Sequence, residues 1–241
     1  MGKEVDRKFA VFDIDGTLIR WQLYHAVVDR LAKNDLLGPK AHNRLHNARM
    51  IWKRREHADA FLSYEKEVIA VYEEALSDLD VNVFDKIVQE IVSEYKYQTY
   101  VYTRDLAGKL KAKGYFLLAI SGSHQELVKH VAKNYGFDDW VGTEYIREGD
   151  RFSGVKKVPS LDKKTVLKKL IKKHNLSTKN SYAIGDSKSD ASLLELVENP
   201  IAFNPDLKLL AIAKKHRWPI IIERKNVIYR LKAGDNGYLL A

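Results

Sequence analysis

Asp13 and Asp15 stand two residues apart at the end of an apolar run, Phe9-Ala10-Val11-Phe12, and Gly16-Thr17-Leu18 follows them. Such a run reads as a buried strand that stops in a turn. Strand alternation turns both carboxylates to one side. Two like charges so close raise each other's pKa unless positive charge shares them, and a hard divalent cation with oxygen ligands meets that need. By itself the pattern is common, because Asp and Gly also fill ordinary turns. Three later segments repeat the layout of apolar residues running into polar ones. Leu117-Leu118-Ala119-Ile120 leads into Ser121-Gly122-Ser123, and Tyr182-Ala183-Ile184 into Gly185-Asp186-Ser187-Lys188-Ser189-Asp190. Between them, Leu161-Asp162-Lys163-Lys164 precedes an amphipathic helix. Ligands of an open α/β sheet bind outside the carboxyl ends of its strands. Two pairs of Asp, one Ser and one Lys are therefore expected to converge.

This set resembles the haloacid dehalogenase superfamily of phosphohydrolases. Asp13-Ile14-Asp15-Gly16-Thr17-Leu18 matches its first motif, Ser121 the second, Lys163 the third, and Gly185 to Asp190 the fourth, in the same order and spacing. The most similar branch is the phosphoserine-phosphatase-like one (subfamily IB). Pro200 to Asp206, followed by Arg217-Trp218-Pro219-Ile220-Ile221, is similar to the end of uncharacterised hydrolases there. The likeness spans roughly residues 8–222 and is least specific over 21–95. It implies an α/β fold: a Rossmann-like, mostly parallel sheet with helices on both faces, and an inserted all-α cap. It also implies a magnesium-dependent phosphomonoesterase acting on a small phosphorylated substrate.

Hydrolysis of a phosphate ester needs an in-line nucleophile, an acid for the leaving group and positive charge on the phosphoryl oxygens. Asp13 is the expected nucleophile, since a carboxylate can form an aspartyl-phosphate and split one hard displacement into two. Asp15 is placed to protonate the leaving alcohol and then activate water; the resemblance implies that it gives Mg2+ only its backbone carbonyl. Asp13 and Asp186 are the expected side-chain ligands of Mg2+. Asp190, one helical turn beyond Asp186, and its neighbour Ser189 are expected to act behind those ligands. Ser121 and the N–H groups of Gly122 and Ser123 would hold phosphoryl oxygens at a helix start. Lys163 would supply positive charge to nucleophile and phosphoryl group. Lys164 competes with it, and the spacing to Asp186 in similar enzymes favours Lys163. Each residue also fits a turn, a helix cap or a plain surface position; the four elements together, in order, carry the reading.

Specificity is less legible. Trp21 and Gln22 begin the cap and are candidates for substrate contact. His124 is a further candidate, with a solvated histidine at a helix start as the competing reading. Phosphoserine phosphatases usually place a Glu nine residues after the nucleophile; Gln22 stands there and cannot offer the same charge pairing. Ser189 replaces their common Asn. Arg49, Lys53, Arg54 and Arg55 either meet a second anionic group or form an exposed face. The competing activities are phosphoryl transfer to an acceptor other than water, and binding without catalysis.

The elements that position these residues follow from periodicity. A strand over 8–13 gives way to helical spacing over 22–37, 40–56, 58–76 and 83–97. Four amphipathic helices in a row suggest a small bundle interrupting an α/β alternation. Residues 21–95 are therefore the expected cap, and 1–20 with 96–241 the α/β core. Beyond the cap the pattern predicts a helix over 103–113, a strand over 115–120 and a helix over 124–135. A β-excursion over 145–155, a helix over 163–174 and a strand over 181–185 come next. A helix over 189–198 and strands over 200–203 and 219–223 complete the alternation. Residues 224–241 carry no readable pattern.

Bulk properties narrow the function class. The 241 residues are 45% hydrophobic and contain no Cys, which excludes disulfides and Cys-based zinc sites. The start, Met1 to Lys8, is charged and lacks the apolar core of a signal peptide, and no apolar stretch approaches membrane-spanning length. A cytoplasmic protein without a membrane partner is expected. The net charge of +9 would attract an anionic substrate or nucleic acid. However, the Lys pairs at 163–164, 168–169 and 172–173 lie opposite Val166, Leu167, Leu170 and Ile171, as an exposed helix face is written. No nucleic-acid motif accompanies the charge.

Overall fold

Strand β1 (Arg7–Phe12) is the spine of a mostly parallel sheet, and its last four residues are buried. A parallel strand covered on both faces needs an unbroken apolar run, and Phe9-Ala10-Val11-Phe12 provides one. The computed structural model describes residues 7–235 and 237–240. Most of the charged start read above, residues 1–6, lies outside them. The chain packs into two compact units, one of Met1–Trp21, Tyr95–Thr143 and Val158–Ala241, the other of Gln22–Glu94 and Glu144–Lys157.

In the first unit β1 pairs in parallel with β2 (Phe116–His124) on one side and β5 (Leu176–Gly185) on the other. Outward from β2 comes β3 (Asp139–Glu148), and outward from β5 come β6 (Asn199–Phe203) and β7 (Ile220–Arg224), all parallel. Two antiparallel strands, β8 (Val227–Gly234) and β9 (Gly237–Leu240), extend that edge. The helices of this unit are α5 (Val101–Ala112), α6 (Gln125–Asn134), α7 (Lys163–His174), α8 (Ala191–Leu194) and α9 (Leu207–His216). Phe9, Val11, Leu118, Ile120, Leu167, Leu193 and Leu209 belong to one buried core. The Rossmann-like α/β class expected from the sequence is the fold found.

Helix α7 shows how sequence positions a functional residue. Asp162 caps its start by accepting the Thr165 N–H at 3.0 Å. Leu167 and Leu170 turn inward, while Lys168, Lys169, Lys172 and Lys173 are exposed. The helix stops at Asn175, which is left-handed at φ +50°. Lys163, its first residue, is buried.

The second unit contains α1 (Leu23–Lys33), α2 (Ala41–Arg54), α3 (Ala60–Ala75) and α4 (Val81–Tyr95). The far end of β3 also belongs to it, paired antiparallel with β4 (Arg151–Lys157). Residues 144–157, which contain the 145–155 excursion expected to belong to the core, thus group with the helices. The reason is aromatic packing: Phe152 meets Phe84 edge-on at 5.3 Å, and Tyr145 meets Tyr72 at 5.5 Å. Arg49 pairs with Asp29 and donates to Tyr64 Oη within this unit, while Lys53, Arg54 and Arg55 are exposed.

Further boundaries differ from the periodicity. β2 continues through Ser121, Gly122 and Ser123 to His124 before α6 begins. The expected helix over 189–198 shrinks to a 3₁₀ turn, Lys188–Asp190, and the short α8. The unreadable stretch after 224 becomes β8 and β9, held where Tyr238 Oη donates to the carbonyls of Ala213 and Trp218. No helix among the described residues is long and apolar enough to cross a membrane.

Candidate active site

The carboxyl ends of β1, β2 and β5 gather the residues whose chemistry the sequence singled out. Asp13 follows β1 directly, and its N–H bonds to the Ile184 carbonyl of β5 at 3.0 Å. Lys163 Nζ, buried at the start of α7, donates to Asp13 Oδ1 at 2.7 Å and to Asp190 Oδ1 at 2.6 Å. Asp190 is itself 0% exposed. Its second oxygen accepts the N–H of Asp186 at 3.2 Å, the N–H of Ser187 at 3.0 Å and the Ser187 hydroxyl at 2.9 Å. Asp190 therefore ties Lys163 to the turn that carries Asp186.

Two glycines make room for these carboxylates. Gly16 has φ +79°, and a Cβ there would come closer than 3.0 Å to Asp186 Oδ2. A Cβ on Gly185 would collide with Asp190 in the same way. On the neighbouring strand end, Ser121 Oγ donates to Asp15 Oδ2 at 2.9 Å and accepts the Ser123 N–H at 3.0 Å. Thr143 of β3 donates to the Gly122 carbonyl at 2.6 Å.

The electrostatics follow from this crowding. Burial pushes the Asp13 carboxyl up to about 7; Lys163 pulls against it, and Asp190 and Asp15 add repulsion. Burial also raises Asp186 well above the carboxylate range, reinforced by Asp13 and Asp190. Burial opposes the charge on Lys163, but Asp13 and Asp190 outweigh it and hold the ammonium above its ordinary range.

Asp13, Asp186 and Asp190 can each place one carboxylate oxygen within 4.8 Å of the others. Three carboxylates against one ammonium leave an excess of negative charge that a dication neutralises. The oxygens of Asp190 are taken by Lys163 and the turn, so Asp13 and Asp186 are the side chains that fit a small hard cation. The Gly16 cradle beside Asp186 Oδ2 agrees with that assignment.

Asp13, Lys163, Asp186 and Asp190 thus come together, with Asp15 bonded to Ser121 beside them. The Asp15 carboxylate stands outside the three-carboxylate group. Lys164 does not share the site: its side chain is exposed and lies 3.7 Å from Glu195. Ser189 is a correction. It is exposed, and among the described residues its hydroxyl bonds sideways to Ser187 Oγ at 2.8 Å, because Asp190 is the residue that turns inward from that 3₁₀ turn. His124 is not solvated: as the last residue of β2, in register with Thr143, it is 0% exposed. Trp21 ends the first stretch of the first unit, and Gln22 is the N-cap of α1 in the second; both are half-buried. Thr17, Thr103, Thr143 and Glu223 were not foreseen. Thr17 had a signal, its place in the first motif; the other three had none.

This arrangement has counterparts. The family model of haloacid dehalogenase-like hydrolases matches residues 10–195, and the chain belongs to that family of enzymes. It is 27% identical over 226 residues to a histidinol-phosphatase of Neisseria meningitidis, covering 89% of this chain and 98% of that one. It is 24% identical over 234 residues to a phosphoserine phosphatase of Mycobacterium tuberculosis, covering 88% and 69%. Among solved structures, a protein of unknown function from Bordetella pertussis superposes with TM-score 0.71 at 21% identity, covering 91% of this chain and 99% of that one. A phospho-aspartyl intermediate analogue of phosphoserine phosphatase superposes with TM-score 0.64 at 20% identity, covering 91% and 95%. At these identities the two structures support the fold, and the family likeness read from the motifs stands.

Proposed function

We propose that the chain is a magnesium-dependent phosphomonoesterase that acts on a small phosphorylated metabolite through an aspartyl-phosphate on Asp13. The observation that carries this is the buried Lys163 ammonium, 2.7 Å from Asp13 Oδ1. It favours the ionised carboxylate a nucleophile must be. The named relatives, a histidinol-phosphatase and a phosphoserine phosphatase, support the substrate class.

In the first step an Asp13 oxygen attacks phosphorus and the bond from phosphorus to the leaving alcohol breaks. Asp15, protonated, gives its proton to that alcohol. In the second step a water oxygen attacks phosphorus, Asp15 takes the water's proton, the bond from phosphorus to the Asp13 oxygen breaks, and inorganic phosphate leaves with the Asp13 carboxylate restored. Ser121, bonded to Asp15 at 2.9 Å, and the loop N–H groups beside it hold phosphoryl oxygens. Lys163 balances charge throughout. Asp13, Asp186 and the Asp15 carbonyl would hold Mg2+, which when bound supplies charge for the phosphoryl oxygens. The larger part of the second unit, Gln22–Glu94, enters the chain between Asp13 and Ser121, and we assign that unit the role of a cap.

The test is Asp13→Asn. Turnover of p-nitrophenyl phosphate with Mg2+ is expected to vanish, and full activity in that variant would refute the reading. Histidinol phosphate and phosphoserine head the panel for the natural substrate, with product analysis in added alcohols to detect transfer to acceptors other than water.

A further inference from the structure

Asp186 is steadied by a chain of contacts that the proposed reaction does not use. Thr17 Oγ1 donates to Asp186 Oδ1 at 3.1 Å. Where that hydroxyl points depends on the Thr17 backbone, since side-chain rotamers follow φ and ψ. The Thr17 carbonyl accepts a 2.8 Å bond from Thr103 Oγ1, and both threonines are 0% exposed. The same loop is sewn to the segment before α5, where the Tyr100 N–H bonds to the Leu18 carbonyl at 3.0 Å and the Arg20 N–H to the Gln98 carbonyl at 2.8 Å.

Thr103 rides on the first turn of α5, so its position depends on how that helix starts. The first N–H groups of a helix lack partners within it, and Tyr100, the N-cap, supplies no side-chain bond. Glu223 supplies them from β7. Its Oε1 accepts the Val101 N–H at 3.0 Å and its Oε2 the Tyr102 N–H at 2.8 Å. A carboxylate suits that end of a helix. Glu223 is buried, and its own N–H bonds to Asn204 Oδ1 at 2.8 Å.

We propose that Thr103 is a positioning residue for the divalent cation and that Glu223 is its anchor. Together they fix Thr17 so that its hydroxyl occupies Asp186 Oδ1, leaving Oδ2, the oxygen beside Gly16, to the metal. The proposal rests on Asp186 being a metal ligand, as assigned above. Groups that orient a metal's ligands without touching the metal typically contribute 10–100-fold to its affinity.

The experiment is calorimetric titration of the full chain with Mg2+ alone, paired with inhibition by inorganic phosphate. Thr103→Val keeps the shape and removes the hydroxyl; its Mg2+ Kd is expected to rise about 10-fold or more. Thr103→Ser is expected to restore binding. Glu223→Gln cannot accept both N–H groups and is expected to fall between. Thr143→Val removes an equally buried hydroxyl from the phosphate side, where it holds the Gly122 carbonyl. It is expected to weaken phosphate inhibition and leave the Mg2+ Kd unchanged. A merely structural role for Thr103 would shift Mg2+ and phosphate together, and that outcome overturns the proposal. So does a wild-type Mg2+ Kd in Thr103→Val or, should that variant not fold, in Glu223→Gln. Wild-type protein that binds phosphate but not Mg2+ would instead overturn the ligand assignment of Asp186, and the proposal with it.

Discussion

Lys163 Nζ sits 2.7 Å from Asp13 Oδ1, and both side chains are withdrawn from solvent at 2% and 7% exposure. A buried ion pair is weak evidence of stability for its own sake, because desolvating two charges offsets their attraction. Its presence here is better explained by the chemistry of a carboxylate kept charged at a strand end.

Replacing Lys163 by Met separates those two roles. Removing one partner of a buried pair costs about 3–5 kcal/mol, because Asp13 is left among carboxylates without its cation. The loss is expected to be larger at pH 7.5 than at pH 5, where Asp13 takes up a proton. Urea unfolding at both pH values measures it. Activity is expected to fall by about 10²–10³-fold or more. Equal destabilisation at the two pH values would contradict this account of the pair.

Mg2+ binding should release protons. The Asp13 carboxyl stands at about 7 in the metal-free protein, raised by burial first and by Asp190 and Asp15 after that. Metal ligands must be ionised. The apparent Mg2+ Kd is therefore expected to tighten as pH rises from 6 to 8. Linkage gives the matching stability effect: between the unfolded value of 3.8 and about 7 the folded state binds the extra proton. The contribution of Asp13 to stability thus declines as pH rises through that window. The thermal shift produced by Mg2+ should be larger at pH 7.5 than at pH 5.5, and equal shifts would count against it.

The parts of this site that were legible are those encoded over short stretches. Asp13, Ser121 and Asp186 each end an apolar run, and the runs are parallel strands because nothing else buries such sequences on both faces. Lys163 was legible from the spacing in similar enzymes; the geometry separates it from Lys164 by its burial and by its bonds to Asp13 and Asp190. Thr103 and Glu223 were invisible, since they act across 86 and about 120 residues through bonds that leave no local pattern. The same holds for residues 144–157, which join the helices because Phe152 and Tyr145 meet rings from elsewhere in the chain. β8 and β9 escaped notice because β8 takes its register from β7 and β9 from β8, and their mixed charge hides the alternation.

Gly16 offers a test of the metal cradle. Its φ of +79° strains any L residue, and a Cβ would also press on Asp186 Oδ2. Gly114 has nearly the same φ, +80°, with nothing near its Cβ position. Both Gly→Ala variants are expected to lose roughly 1 kcal/mol or more from the backbone. Only Gly16→Ala is expected to lose Mg2+ affinity, by about 10-fold or more. Calorimetric titration of the two variants compares them directly, and similar Mg2+ affinities would remove the cradle from the explanation of the site.

His25 makes the helical unit sensitive to acid. It is 3% exposed on α1, edge-on to Tyr64 at 5.0 Å and tilted against Phe61 at 6.0 Å. Burial, and then the nearby Arg49 guanidinium, lowers its pKa to about 4 from 6.5. Between those values the unfolded chain holds a proton that the folded unit rejects. Stability is therefore complete above pH 6.5 and declines as pH falls toward 4, by ~1.4 kcal/mol for each unit of the displacement. Arg49 remains cationic throughout, paired with Asp29. His25→Phe keeps the ring packing and removes the titration. Its stability relative to wild type is expected to improve steadily from pH 6.5 to pH 4.5, a difference in which groups common to both proteins cancel. Parallel profiles from chemical unfolding would show that protonation of His25 does not destabilise these helices.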